Sequence, residues 1–149
     1  MNRKHEIIST LKSYFQNKAD TYDLDIAFLY GSWAVGHPKE ESDIDVAVLF
    51  SHEMNEDKIF NALNTISLDL TLILKHETNA IYIDRELSKP MLHYNAVVRS
   101  TPVFIKDFTR YVDIKLKAIS QMEDFTIFGL KWQREIVNRR LEALHHAGV

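Results

Sequence analysis

Apolar side chains recur at Ile7, Ile8, Leu11 and Phe15 with polar residues between them. That is the spacing of one helix face, and it predicts a helix over residues 3–19. The run Leu24-Asp25-Ile26-Ala27-Phe28-Leu29-Tyr30 is short, apolar and ended by Gly31, which predicts a buried strand. Residues 32–42 contain Gly36 and Pro38 and predict one helical turn followed by a loop. From Asp43 to Phe50 the pattern alternates, with Ile44, Val46, Val48 and Phe50 on one face, and predicts a second strand.

Residues 55–65 carry Ile59, Phe60 and Leu63 at helical spacing. Leu68, Leu70, Leu72 and Leu74 then alternate with Asp69, Thr71 and Ile73, the pattern of a third strand. Residues 77–100 read as helix interrupted at Pro90, and Val103-Phe104-Ile105 as a short fourth strand. From 107 to 146 the helical period returns. Phe125, Phe128, Trp132 and Ile136 form one stripe, and Val137, Leu141 and Leu144 another. Gly129 weakens the expectation of a single unbroken helix there. The stripe Phe125, Phe128, Trp132 is expected to pack as core, with an oligomer contact as the alternative. The predicted fold class is α/β (α+β): a small mixed β-sheet flanked by helices, with C-terminal helices. One domain is expected over 1–149, with a core at about 24–107 and a helical extension at about 107–146.

Composition narrows the function classes. The chain has 149 residues, a 46% hydrophobic fraction and no cysteine. Disulfides, thiolate catalysis and cysteine-ligated zinc are excluded. No apolar run is long enough to span a bilayer, and the first residues lack the apolar stretch of a signal peptide, so a cytoplasmic protein without a membrane partner is expected. The formal net charge is -3, which does not indicate direct nucleic-acid binding.

The chemistry-bearing residues converge on two short motifs. Asp43 and Asp45 lie two apart on a strand, so both carboxylates point to one side. Such a pair is costly to bury without a cation, and its oxygens suit a hard divalent ion that keeps water and substrate phosphates as its other ligands. Asp69 offers a third carboxylate in an apolar alternating stretch, and would join the first two if its strand paired with theirs. Gly31-Ser32 ends the preceding strand, where a glycine lets the backbone turn closely and helix-start amides can face an anion. An isolated Asp-x-Asp is more often a solvated strand edge, but here ten residues separate Gly31-Ser32 from Asp43, with a strand on either side.

With these residues in place, the sequence resembles the polymerase-β-like nucleotidyltransferases, whose signature is Gly-Ser, ten residues, Asp-x-Asp. The short chain and Leu68-Asp69-Leu70 resemble the minimal nucleotidyltransferases, in particular the MntA-type antitoxins of HEPN/MNT toxin–antitoxin pairs. The match covers about residues 24–107. The resemblance implies ATP as substrate with Mg2+, Gly31 and Ser32 on the phosphates, Asp43 and Asp45 on the metal, and Asp69 as a third metal-binding carboxylate that helps to activate the acceptor hydroxyl. It also implies transfer of AMP to a tyrosine of a partner HEPN ribonuclease toxin, which silences it. One departure stands out. Trp33 and Val35 occupy positions where relatives often carry arginines, so two phosphate-binding charges are missing and another cation must compensate. Trp33 is expected to pack.

Two rivals remain open: a transferase of small molecules such as an antibiotic, and a degenerate transferase that neutralises its partner by binding alone. The Arg140 to His145 spacing has the look of a HEPN nuclease motif, but arginine and histidine five apart on a terminal helix are common. His145-His146 reads as a polar terminus. Lys131, Arg134, Arg139 and Arg140 make the last helix basic. That reads as a solvated face, with an acidic protein surface or tRNA as the specific alternative.

Overall fold

The computed structural model describes residues 2–36, 38 and 41–147. Residues 37, 39 and 40 of the predicted loop lie outside the described residues. The first helix, α1 (Arg3–Tyr22), begins where the Asn2 side chain accepts the Lys4 backbone N–H at 2.9 Å. It ends where Asp23 turns left-handed at φ 54°. Strand β1 (Leu24–Tyr30) follows, then a single helical turn, α2 (Ser32–Val35), and strand β2 (Ile44–Phe50). These four elements are the ones the hydrophobic pattern predicts.

The next two differ. Helix α3 spans Glu56–Leu74, so the alternating leucines are its C-terminal half and not a strand. The buried positions Ala62, Ile66, Leu70 and Leu74 step by four, whereas Leu68, Leu72 and Ile73 are exposed. Leucine is a strong helix former, and a face set from Ala62 onwards outweighs a local alternation. The third strand is instead β3 (Thr78–Tyr82), inside the segment read as helix. The reason is topological. β3 pairs parallel with β2, and a parallel return needs a crossover of a dozen or more residues, which α3 supplies.

Of the helix predicted over 77–100, only α4 (Pro90–Val97) exists, with Pro90 in its first turn, where a missing N–H does no harm. Strand β4 (Thr101–Ile105) leads into α5 (Phe108–Ala147), which runs through Gly129 without a break. The sheet order is β3-β2-β1-β4, with β1 antiparallel to both β2 and β4. This is the expected mixed α+β architecture with different residues in its third strand.

Helices α1 and α3 cover one face of the sheet. Ile7, Leu11 and Phe15 meet Ile66 and Leu70 there over Ala27, Leu29, Val46 and Val48. Helix α4 and the start of α5 cover the other, with Ile26, Phe28, Ala47 and Leu49 against Val97, Ile114 and Ala118. The central strands are therefore apolar on both faces, which is why β1 shows no alternation. Beyond residue 122 α5 runs free of the body. Phe125, Phe128 and Trp132, expected as core, are exposed there. Among the described residues no helix is long and apolar enough to cross a membrane.

Candidate functional site

Tyr30 ends β1 directly opposite Asp45 on β2. The next residue, Gly31, turns with φ 77° and ψ -159°, a conformation open essentially to glycine alone. A Cβ added at Gly31 would lie 2.5 Å from Asp45 Oδ2. The glycine is thus required twice, for the turn and for the carboxylate pressed against it. This contact joins the two sequence motifs into one site: the Gly31-Ser32 turn borders the Asp43-x-Asp45 edge.

The turn after Gly31 is one helical turn. The N–H groups of Ala34 and Val35 reach the Gly31 carbonyl at 3.0 and 3.2 Å, and Gly36 closes it with φ 99°. With those two engaged, the amides that precede them in the turn, at Ser32 and Trp33, are the ones that can face an anion, and Ser32 adds a hydroxyl beside them. Trp33 is buried, as expected. Its indole N–H donates to the Ser42 carbonyl at 2.9 Å, and its ring meets His76 edge-on. His76 Nε2 also donates to that carbonyl, at 2.5 Å. The indole therefore staples the Gly31 turn to the segment that delivers Asp43. Val35 points to solvent. Lys4 reaches this turn from α1, donating to the Ala34 carbonyl at 3.1 Å, where no sequence spacing suggested a cation.

The electrostatics are those of two carboxylates held together. Burial, followed by the nearby charge of Asp43, holds the Asp45 carboxyl above the usual range. Burial and the Asp45 charge push the Tyr30 hydroxyl up to about 12. Burial is the larger cause of both shifts, and the neighbouring negative charge adds to each; a divalent cation would relieve that second part. The donor set fits a hard ion that binds through one or two carboxylates and takes its remaining ligands from water and phosphate.

Asp69 does not join them, which corrects the expectation of three converging carboxylates. It lies on α3, on the sheet face covered by α1 and α3, and accepts the Tyr14 hydroxyl at 2.8 Å. Among the described residues no three acidic, histidine or cysteine side chains group to hold a metal. The side chain that does stand beside the pair is Asn79 of β3. It is the register partner of Asp45, and its Nδ2 donates to Asp43 Oδ2 at 3.3 Å. The helical pattern over 77–100 gives Asn79 no place beside the pair. Thr78, Ile81 and Tyr82, all strand formers, were the available signal.

Residues 9–109 match the polymerase beta nucleotidyltransferase family. The chain belongs to that family. The matched span runs from α1 to the start of α5 and includes Gly31, Ser32, Asp43, Asp45 and Asn79. No curated protein sequence matches this nucleotidyltransferase chain. Its fold is similar to a chain of the crystal structure of a toxin–antitoxin pair with AMP-PNP, at 15% identity and a TM-score of 0.65, covering 85% of this chain and 98% of that one. It is also similar to a chain of a tri-AMPylated Shewanella oneidensis HEPN toxin in complex with MNT antitoxin, at 13% identity and a TM-score of 0.62, covering 87% and 98%. A chain of the MntA–HepT toxin–antitoxin structure aligns likewise, at 14% identity and a TM-score of 0.62.

Proposed function

We propose that this nucleotidyltransferase is the antitoxin of a toxin–antitoxin pair and transfers AMP from ATP, with Mg2+, to a tyrosine of a HEPN ribonuclease partner. The observation that carries the transfer chemistry is the approach of Gly31 to Asp45, which sets a glycine-bordered turn against a carboxylate pair. The acceptor and partner rest on the fold likeness to structures of HEPN toxin complexes.

Asp43 and Asp45 hold the metal. The bound Mg2+ supplies charge neutralisation to the triphosphate and to the leaving pyrophosphate. The Ser32 hydroxyl and the Ser32 and Trp33 amides bind phosphate oxygens, and Gly31 leaves them room to approach. The tyrosine oxygen bonds to the α-phosphorus as the bond from that phosphorus to the β-phosphate bridge breaks. Pyrophosphate departs and the phenolic proton passes to water. No covalent enzyme intermediate is needed, so positioning and electrostatics supply the catalysis.

The test uses ATP labelled on the α-phosphate, Mg2+ and the product of the neighbouring gene, with wild type beside an Asp43→Ala, Asp45→Ala variant. Label on a partner tyrosine with wild type alone is the expected result. Neutralisation of the partner that persists in the variant would establish binding alone as the mechanism. Label on a small molecule, with none on the partner, would establish a small-molecule transferase.

A further inference from the structure

We propose that Asn79 is the positioning residue of the carboxylate pair, holding Asp43 through its amide and keeping the acidic edge at two charges instead of three. The inference rests on the metal-binding reading of Asp43 and Asp45. β3 lies parallel to β2 with Asn79 level with Asp45. On paired strands, residues level with each other project from the same face. The face is fixed by its neighbours: Ile81, two residues on, packs with Ala47 and Leu49, the cluster on Asp45's side of β2, whereas Ala80 packs with Val46 and Val48. Asn79 therefore stands beside the aspartates, and its Nδ2 donates to Asp43 Oδ2 at 3.3 Å, reaching from β3 to the residue just before β2.

Of the two carboxylates, Asp45 is pressed against Gly31, so the backbone turn confines it. Asp43 precedes β2 and is exposed. The Asn79 amide supplies a restraint on that side chain. It does so without charge. A carboxylate at position 79 would place a third negative group beside two that already repel, raising the cost of the metal-free fold and strengthening the attraction for a divalent cation. The neutral amide thus trades metal affinity for a site that tolerates being empty. It also leaves the amide oxygen available to a cation or to a bound water.

The test is Mn2+ binding by the full chain without nucleotide, followed as free Mn2+ by electron paramagnetic resonance, together with melting curves in EDTA. The set is wild type, Asn79→Asp, Asn79→Ala and an Asp43→Asn, Asp45→Asn double variant. Asn79→Asp is expected to bind Mn2+ about tenfold more tightly or better and to melt lower in EDTA, with the difference reversed by Mn2+. Asn79→Ala, which adds no charge, is expected to bind about three- to tenfold more weakly than wild type while melting within a few degrees of it. A purely structural asparagine would move the melting temperature and leave the Mn2+ affinity alone. If binding is lost in the double variant but equal in wild type, Asn79→Asp and Asn79→Ala, the role of Asn79 is overturned and the metal site stands. If wild type binds no Mn2+, or binding survives in the double variant, the metal site itself is overturned.

Discussion

Asp45 and Asp69 look alike in their immediate sequence, each an acid between two apolar neighbours, yet they occupy opposite faces of the sheet and opposite electrostatic situations. Asp69 sits at the groove between α1 and α3, where the Tyr14 hydroxyl donates to it at 2.8 Å. Asp45 is half-buried next to another carboxylate and against a glycine that no side chain can replace. The first acid is satisfied by the fold. The second is held in tension by burial and by the charge of Asp43, and such tension is where an external cation or substrate has work to do. The open groove lined by Ser13, Tyr14, Asp69 and Leu72, of about 640 Å3, lies on the face away from Asp43 and Asp45. The chemistry of the residues, and not the volume, identifies the site.

The sharpest break in this comparison is functional. Asp45→Ala is expected to lower AMP transfer by roughly 10^3-fold, the scale of losing a group that stabilises developing charge. Asp69→Ala is expected to leave transfer within about threefold. Initial rates of label incorporation at saturating ATP compare the two. Equal losses would place Asp69 in the reaction and contradict its separation from the pair. Next in size is Gly31→Ala. The backbone conformation disfavours any side chain by about 1–3 kcal/mol, and the new methyl must also displace Asp45. Transfer should fall at least tenfold and the melting temperature should drop. A variant as active and stable as wild type would show that the turn does not border the carboxylate.

The two regions also differ in how far they could be read from sequence. The Gly31-Ser32 and Asp43-x-Asp45 motifs were legible because each marks a local event, a strand end and a strand start, and β1 and β2 are adjacent antiparallel partners. The Asp69 region was not. Whether Leu68–Leu74 alternates or turns depends on what lies beneath it, and four-residue steps from Ala62 decide that only once the face of α3 is known. Where 68–74 reads as the third strand, Thr78–Tyr82 falls inside a predicted helix, and the pattern offers no reason to place Asn79 at the site. Phe125, Phe128 and Trp132 were misread for a related reason. They continue a helical stripe, but the body ends before they are covered. Periodicity reports which residues share a face, not whether anything lies opposite.

On the Asp69 side, Tyr14→Phe tests whether that carboxylate is structural. The Tyr14 hydroxyl is held protonated well above its usual range, chiefly by burial and then by Asp69. Removing it leaves Asp69 without its donor at a cost of about 1–2 kcal/mol. Denaturant titration should show that loss, while Mn2+ affinity remains that of wild type. A change in Mn2+ affinity would couple the two faces.

The smallest effect is the most discriminating, because it is a gain. Burial and the Asp43 charge raise the Asp45 pKa in the folded chain above its ordinary 3.8. The fold therefore favours the protonated form. The stability this contributes is complete below pH 3.8 and is lost as pH rises through the folded value. At pH 7 without metal, the ionised Asp45 works against the fold, so Asp45→Asn should stabilise the metal-free chain by roughly 0.5–2 kcal/mol, the usual gain when a strained functional residue is relaxed. The advantage should fade as pH is lowered towards 3.8, where the wild-type carboxyl also becomes neutral. Adding Mg2+ should raise the wild-type melting temperature but not that of the variant. Melting curves in EDTA and in Mg2+ across pH 4–7 follow all three. A variant that melts below wild type at pH 7 in EDTA would mean that the Asp45 carboxylate is satisfied as Asp69 is, and the contrast between the two faces would disappear.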